Sequence, residues 1–343
     1  MEAAVVPFIH WKVYMPDSLL SIENLETSFR TPEGTVHAVN GVSLELERGE
    51  ILGIVGESGC GKSVTMLSIL GLIPNPPGKV TAGKAFYKGQ DLLKMKDGEI
   101  RKIRCSEIGM IFQDPLTYFN PVLTIGRQVT EPLDMHRSLS KKATLDTAVH
   151  MLNLVGIPKP RERLKDYPHQ FSGGMRQRVM IAMALICSPQ ILIADEPTTA
   201  LDVTIQAQIV ELVKDLRDQL GMAIIWITHD LGLIAGLAER IVVMYGGLII
   251  EEALVDDLYD APHHPYTIGL LASLPHLDEG RNRKLTSIDG LPPVLYEKPV
   301  SCPFYERCKM RVERCNQENP SLQVIGNRHR VACWVNPETG KEY

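Results

Sequence analysis

A glycine-rich loop is the first feature of the sequence that could do chemistry. Its residues are Gly56, Glu57, Ser58, Gly59, Cys60, Gly61, Lys62 and Ser63, followed by Val64. They fit the phosphate-binding pattern G-x-x-x-x-G-K-[ST], in which backbone N–H groups surround the phosphates, the lysine reaches the β- and γ-phosphates, and the hydroxyl ligates Mg²⁺. An apolar run over 51–55 precedes the loop and helical spacing follows it, so this context favours a nucleotide site over a simple glycine turn.

Two carboxylates end a second apolar run, over residues 191–194. The end of a buried strand would place Asp195 near the Mg²⁺ shell and Glu196 beside an attacking water. An adjacent Glu suits a general base for hydrolysis. The alternative is that both acids cap a helix that begins near Pro197.

A third segment predicts another helix start that can bind an anion. Ser172 provides a hydroxyl cap, and Gly173 and Gly174 leave the first N–H groups accessible. It lies about 110 residues after the glycine-rich loop, so the two segments cannot easily face one nucleotide within a compact domain. An ordinary capped helix is the alternative interpretation.

This third segment resembles the signature motif of ATP-binding cassette (ABC) proteins, usually Leu-Ser-Gly-Gly-Gln, and departs from it at Phe171 and Met175. In that family the signature of one subunit covers the γ-phosphate held by another subunit. Four further residues match family motifs in order: the adenine-stacking aromatic residue Phe29, the Q-loop Gln113, the D-loop Asp202 after Ala200 and Leu201, and the switch His229.

The resemblance assigns roles to these residues. It implies ATP as the ligand, with Mg²⁺ held by Ser63, Gln113 and Asp195. It implies that Glu196, His229, Gln113 and Lys62 carry catalysis, and that the loop, Phe29, Gln113, Asp195, the 172–174 segment and Asp202 bind nucleotide.

Cys60 lies at a helix N-terminus, where the positive potential predicts a lowered thiol pKa and inactivation by alkylation.

The C-terminal part resembles the extension of the ATPase subunits of oligopeptide and dipeptide ABC importers. The match lies at 263–267 and 270–275, before four cysteines, Cys302, Cys308, Cys315 and Cys333. Structural zinc sites favour C-x₂₋₄-C pairs, whereas the longer, irregular gaps here suit a [4Fe–4S] cluster. Zinc is the second choice, and four reduced thiols are the alternative without metal.

These residues require elements that bring them together. We predict strands at 51–55, 108–112, 190–195, 222–228 and 240–245, and helices at 64–72, 143–155, 172–187, 203–219 and 231–238. The resemblance implies an α/β P-loop NTPase cassette with a RecA-like parallel sheet, an antiparallel β subdomain and a helical subdomain near 120–185. The predicted domains are a loose extension at 1–18, the cassette at 19–260 and a Cys-rich extension at 261–343.

Composition limits the function classes. The chain has 343 residues, 44% of them hydrophobic and 22% charged, with a net charge of −5. These values exclude a disordered chain and argue against bulk nucleic acid as the main partner. Seven cysteines, an odd number, argue against a disulfide framework, and no apolar run approaches the ~20 residues of a membrane span. A cationic leader is not evident, which predicts a cytoplasmic protein.

The resemblance to ABC importers implies an ATPase subunit at the cytoplasmic face of the membrane, energising import of peptides or a related small solute. The implied partners are a second ATP-binding subunit, taken to be a paralogue, two membrane-spanning permeases and an extracytoplasmic solute-binding protein. Three alternatives remain: a soluble ABC ATPase acting on DNA or ribosomes, half of an exporter, and a redox-regulated ATPase. The transported substrate cannot be read from this chain.

Overall fold

The computed structural model describes residues 18–199, 201–274 and 287–343. The predicted N-terminal extension lies outside these residues except for Ser18, which begins the first strand. The strands are β1 Ser18–Thr31, β2 Gly34–Glu47, β3 Ile51–Val55, β4 Gly78–Tyr87, β5 Gln90–Asp91, β6 Ile108–Ile111, β7 Ile191–Asp195, β8 Ala223–Thr228, β9 Arg240–Tyr245, β10 Leu248–Leu254, β11 Gln323–Gly326 and β12 His329–Val331.

The α-helices alternate with these strands over most of the chain. They are α1 Lys62–Ile69, α2 Asp97–Ile103, α3 Pro115–Tyr118, α4 Ile125–His136, α5 Lys141–Leu154, α6 Pro160–Arg163, α7 Gly173–Leu185, α8 Val203–Leu220, α9 Leu231–Ala235, α10 Val255–Asp260, α11 Pro265–Ala272 and α12 Arg314–Gln317. A membrane-spanning helix would have to be longer and more apolar than any helix found within the described residues.

The first strands form a small antiparallel sheet, as predicted. Its order in the described chain is β2-β1-β4-β5. Apolar residues of the two long strands face each other across the register, with Leu20 opposite Leu46 and Ile22 opposite Leu44, and all four are buried. This alternation buries one face of the sheet against the rest of the protein.

The larger sheet positions the site. Its order over the described residues is β11-β12-β10-β9-β3-β8-β7-β6. The strands β6, β7, β8, β3 and β9 run parallel, and every residue of β3, β7, β8 and β9 is buried. Continuous burial is typical of parallel strands covered on both faces. Because these strands are parallel, the residues that follow β3, β6, β7 and β8 meet at one edge.

The stretch between 120 and 170 is helical, as expected for the inserted subdomain. Its helices α4 and α5 pack on each other and on α7. Thr124 and Ser140 cap the first two helices by accepting the N–H groups of Arg127 and Ala143. The α/β cassette with an antiparallel sheet and a helical region is therefore confirmed, while the proposed domain limits stay predictions.

Two predicted helices end three residues early. The helix predicted over 64–72 ends at Ile69, because Gly71 follows in the left-handed region with a φ of 61°. The helix predicted over 231–238 ends at Ala235, where Gly236 caps it. Both differences lie at glycines, which leave the helical conformation at little cost.

The C-terminal segment joins the main sheet. Strand β12 pairs antiparallel with β10, and β11 pairs with β12. Phe304, from the cysteine-rich stretch, is buried in the main hydrophobic core. This part of the chain therefore belongs to the same sheet as β3, the strand that precedes the glycine-rich loop.

Candidate functional site

The glycine-rich loop connects β3 to α1. Its glycines have backbone conformations in which a residue with a side chain would be strained. Gly56, Gly59 and Gly61 have φ values of 150°, 84° and 91°. A Cβ on Gly61 would lie 2.3 Å from the carbonyl oxygen of Ala38. Ser58 and Gly59 are exposed at the crest of the loop, and Val64 is half-buried in α1. The loop therefore presents backbone N–H groups at a helix N-terminus, as phosphate binding requires.

Lys62 lies folded across this loop. Its Nζ donates hydrogen bonds to the carbonyl oxygens of Gly56 at 2.8 Å and Glu57 at 2.9 Å. Burial lowers the pKa of Lys62, and neighbouring acidic groups oppose that shift. The ammonium group is thus held over the mouth of the loop, within reach of a bound phosphate chain.

Ser63 and Asp195 meet at the start of α1. The Ser63 hydroxyl donates to the Asp195 carboxylate at 2.7 Å. Burial raises the pKa of Asp195, while the Ser63 hydrogen bond opposes the rise. Hydroxyl and carboxylate oxygens at this separation fit the ligands that Mg²⁺ prefers. Gln113, the third predicted ligand, donates its amide to Glu196 instead, so its role toward Mg²⁺ stays a prediction.

Glu196 is the point at which the predicted catalytic residues converge. Its Oε2 accepts hydrogen bonds from Gln113 Nε2 at 3.0 Å and from Thr199 Oγ1 at 3.1 Å, and lies 3.4 Å from His229 Nδ1. Its Oε1 lies 4.0 Å from Lys62 Nζ. Glu196 is 8% exposed. This arrangement fixes one carboxylate beside the phosphate-binding loop.

The backbone of Glu196 is strained. Its φ of 45° lies in the left-handed region, which non-glycine residues rarely adopt. The Glu196 N–H donates to the Ile227 carbonyl at 3.0 Å, and its carbonyl accepts the Thr199 N–H at 3.4 Å. Such strain persists at functional sites when neighbours hold it. Thr199 was not predicted, and its position three residues after Glu196 was the signal available in the sequence.

Three other predicted groups make local contacts. Ser172 is exposed and caps α7, Asp202 caps α8, and Phe29 lies half-buried in β1 beside Gly78. Among the hydrogen bonds and ion pairs of the described chain, none joins 172–174 to the loop at 56–63. Ala200, in the predicted D-loop, lies outside the described residues. The roles of Phe29, the 172–174 segment and Asp202 in nucleotide binding therefore stay predictions.

The prediction of a lowered pKa for the Cys60 thiol is wrong, while inactivation by alkylation stays a prediction. Cys60 is 1% exposed, and burial raises the pKa of its thiol. Lys62 lowers that pKa, but its effect is smaller than that of burial. Removal of the thiolate from water therefore raises the pKa by more than the Lys62 ammonium lowers it.

The four C-terminal cysteines, Cys302, Cys308, Cys315 and Cys333, line one cavity of about 10 Å³. Burial raises the pKa of Cys302 to about 12 and that of Cys333 to about 11. The donor set suits iron, but a cavity of this size holds about one water. Across the described residues no group of three or more His, Cys, Asp or Glu side chains is arranged to hold a metal ion. The predicted cluster is thus unsupported by this geometry.

Comparison with known families gives two matches along the chain. Residues 39–199 match the family described as "ABC transporter". Residues 250–315 match the family described as "Oligopeptide/dipeptide transporter, C-terminal region". The first range includes the glycine-rich loop and Glu196, and the second contains three of the four C-terminal cysteines.

Curated relatives are similar over almost their full length. The chain is 54% identical to the dipeptide transport ATP-binding protein DppD of Bacillus subtilis (strain 168), covering 93% of this chain and 95% of DppD. It is 49% identical to the oligopeptide transport ATP-binding protein OppD of the same organism, covering 92% and 88%. A probable peptide ABC transporter ATP-binding protein of Sinorhizobium fredii, y4tR, is 50% identical over 94% and 96%.

A solved structure supports the fold. The dimeric post-hydrolysis state of the ATP-binding cassette MJ0796, bound to ADP and phosphate, is 30% identical and matches with a TM-score of 0.62. The match covers 69% of this chain and 98% of that protein. The cassette is therefore shared with MJ0796, while about a third of this chain lies beyond the match.

Proposed function

Because the chain belongs to the ABC transporter family of ATPases, we propose that it energises the import of di- or oligopeptides across the cytoplasmic membrane. The observation that carries the proposal is the match of residues 250–315 to the C-terminal region of oligopeptide and dipeptide transporters. Relatives named for dipeptide and oligopeptide transport, identical at 54% and 49% of positions, support it.

We propose that hydrolysis proceeds by in-line attack of water on the γ-phosphate. Glu196 orients this water and accepts its proton, because Gln113 and Thr199 hold the carboxylate in place. Lys62 leaves the loop carbonyls and stabilises the negative charge of the phosphates. His229 is half-exposed beside Glu196 and closes the site. Ser63 and Asp195 would hold Mg²⁺, which would supply positive charge to neutralise the phosphates.

A second ATP-binding subunit completes the site in this proposal. Ser172 and Gly173 are exposed at the start of α7, where they are free to contact a nucleotide held by another subunit. We propose a paralogue for this partner. Two permeases and an extracytoplasmic binding protein form the rest of the transporter, with no nucleic acid, and the chain lies peripherally at the cytoplasmic face.

Uptake of labelled di- and oligopeptides tests the proposal. Uptake is compared between cells that lack the gene for this chain and express the wild type, and the same cells expressing Lys62→Ala. ATP-dependent uptake restored by the wild type alone supports peptide import. Co-purification of the chain with permeases identifies the complex. Normal peptide uptake without the chain, together with purification free of permeases, would favour a soluble or redox-regulated ATPase.

We also propose a [4Fe–4S] cluster at Cys302, Cys308, Cys315 and Cys333, with zinc as the second choice. The proposal rests on the chemistry of four cysteines that line one cavity, and that cavity must widen to admit a cluster. The cluster would tie together the irregular segment that carries these cysteines.

Anaerobic purification tests this site. About four irons per chain and broad absorption near ~400 nm are expected, both lost when any one of the four is replaced by Ser. Cys105→Ser is the matched control because Cys105 lies outside this cavity. Stoichiometric zinc would leave a zinc site, and no metal would leave four thiols.

A further inference from the structure

The phosphate-binding loop is held from outside by a side chain of the C-terminal segment. Arg307 Nη1 donates to Glu57 Oε2 at 2.7 Å, and Arg307 Nη2 donates to Glu57 Oε1 at 3.0 Å. Glu57 is the second residue of the loop, directly after Gly56. A forked pair of this kind fixes both the position and the orientation of the carboxylate.

Arg307 is itself held rigidly. Its side chain is 6% exposed. Its Nε donates to the carbonyl of Asp289 at 2.9 Å, and its Nη1 donates to the Tyr245 hydroxyl at 3.2 Å. The carboxylate of Glu57 is the largest cause that raises the pKa of Arg307. Loss of either partner would leave an uncompensated charge next to the loop.

Tyr266, from α11, makes a second contact with the same loop residue. Its hydroxyl accepts the backbone N–H of Glu57 at 2.9 Å, and the tyrosine is fully buried. The rings of Tyr266 and Tyr245 both pack against Phe304, with centroids 5.4 Å and 5.2 Å away. Glu57 is therefore fixed through its main chain and its side chain by residues that contact one another.

The two C-terminal residues in this cluster, Phe304 and Arg307, lie between Cys302 and Cys308. A short 3₁₀ turn places Arg307, because its N–H donates to the Phe304 carbonyl at 3.0 Å. The Cys302 N–H donates to the Cys315 carbonyl at 2.9 Å. The position of the guanidinium thus depends on the folding of the cysteine-rich segment.

We propose that Arg307 is a positioning residue for the phosphate-binding loop, and that its pair with Glu57 couples nucleotide binding to the order of segment 302–315. The inference rests on the proposed nucleotide site. A loop fixed in its binding conformation loses less conformational freedom when ATP binds. Linkage is reciprocal, so bound ATP stabilises the cysteine-rich segment by the same factor.

Equilibrium binding of MgATP to the full-length chain gives the first test. We expect Arg307→Met to raise the Kd at least fivefold, the lower end of typical coupling between sites. Glu57→Gln breaks the same pair from the loop side, without a change in the sequence of the C-terminal segment, and is also expected to raise the Kd. The Kd of the double variant should exceed that of the weaker-binding single variant by no more than twofold, because both substitutions remove the same Arg307–Glu57 pair.

The matched control is Arg311→Met. Arg311 lies in the same segment, donates to the carbonyl oxygens of Tyr305 and Glu306, and lies over the Tyr305 ring. Its charge also lowers the pKa of Cys308, but no hydrogen bond of the described chain joins it to Glu57. Its Kd should stay within twofold of the wild type. Arg307→Lys keeps the charge and should recover part of the affinity. In the assembled transporter, Arg307→Met should raise the KM for ATP while kcat changes less than twofold, which a general loss of fold would not produce.

Hydrogen exchange of peptides covering 302–315 gives the second test. MgATP should slow this exchange in the wild type and in Arg311→Met, and should not slow it in Arg307→Met or Glu57→Gln. Unchanged Kd values in both loop-pair variants, additive effects in the double variant, or exchange insensitive to MgATP would overturn the inference. Failure of the wild type to bind MgATP would instead overturn the proposed nucleotide site.

Discussion

Replacement of Glu196 by Gln removes one negative charge and keeps the shape of the side chain. The amide can still hydrogen-bond to Gln113 and Thr199, which contact the carboxylate at 3.0 Å and 3.1 Å. We expect ATP binding to persist and hydrolysis to fall by ~10²–10⁴-fold, the usual contribution of a positioned base. At 1.36 kcal/mol per factor of ten, this is about 3–5 kcal/mol in the barrier.

The distances explain why binding should survive. Lys62 Nζ lies 4.0 Å from Glu196 Oε1. Two unit charges at this separation attract by about 4 kcal/mol in surroundings of effective dielectric constant near 20, before desolvation is counted. Neutralising Glu196 releases Lys62 for the phosphates and removes a carboxylate that repels them. The Kd for ATP is therefore expected to stay equal or to fall.

Thr199→Val is the graded companion to this variant. It keeps the Glu196 carboxylate and removes the hydroxyl that donates to it at 3.1 Å. A hydrogen bond to a charged group contributes about 1.5–3 kcal/mol. If part of that free energy holds the carboxylate in its reactive position, turnover should fall about tenfold, between wild type and Glu196→Gln.

Phosphate release at saturating MgATP is measured in the assembled transporter, with nucleotide binding measured on the same preparation. Hydrolysis by Glu196→Gln within threefold of the wild type would place the base elsewhere. A Thr199→Val variant as inactive as Glu196→Gln would show that the threonine does more than orient the carboxylate.

Three further outcomes concern buried groups. Cys60 is 1% exposed, so iodoacetamide should label it at least ~10-fold more slowly in the folded protein than in urea. Mass spectrometry of the peptide that contains Cys60 measures both rates, and equal rates would contradict its burial. Burial lowers the pKa of His264 from 6.5 to about 4, so the unfolded chain binds the proton more readily than the folded chain. The free energy of unfolding should therefore fall as the pH drops from 6.5 toward 4, by up to about 3 kcal/mol. Urea melts of His264→Asn should lack this part of the pH dependence, and an unchanged profile would contradict it. Arg240 pairs with Glu50 at 2.8 Å and with Glu252, and all three residues are buried. Arg240→Met should therefore lower the free energy of unfolding, measured by urea melts, by about 3–5 kcal/mol. A loss below about 1 kcal/mol would contradict the pairing.

Most of the features predicted from the sequence depend on residues that are close together along the chain. The glycine-rich loop, the Asp195-Glu196 pair and the alternation of strands with helices depend on neighbours in sequence, because backbone conformation and periodic burial impose them. Strands β3, β7 and β8 are parallel neighbours, so the residues that follow them meet at one edge. This is why the convergence of Lys62, Asp195 and His229 could be expected from their motifs.

What only the tertiary structure decided are the contacts between distant segments and the electrostatic effect of burial. Cys60 has a helix N-terminus in its sequence context, yet its pKa rises because packing removes the thiol from water. Arg307 and Glu57 are 250 residues apart, and no local pattern pairs them. Their pairing follows from the sheet, since β10 and β12 bring the C-terminal segment back onto the elements beside the loop. Side-chain pairing at that range depends on the whole packed core, which a motif does not encode.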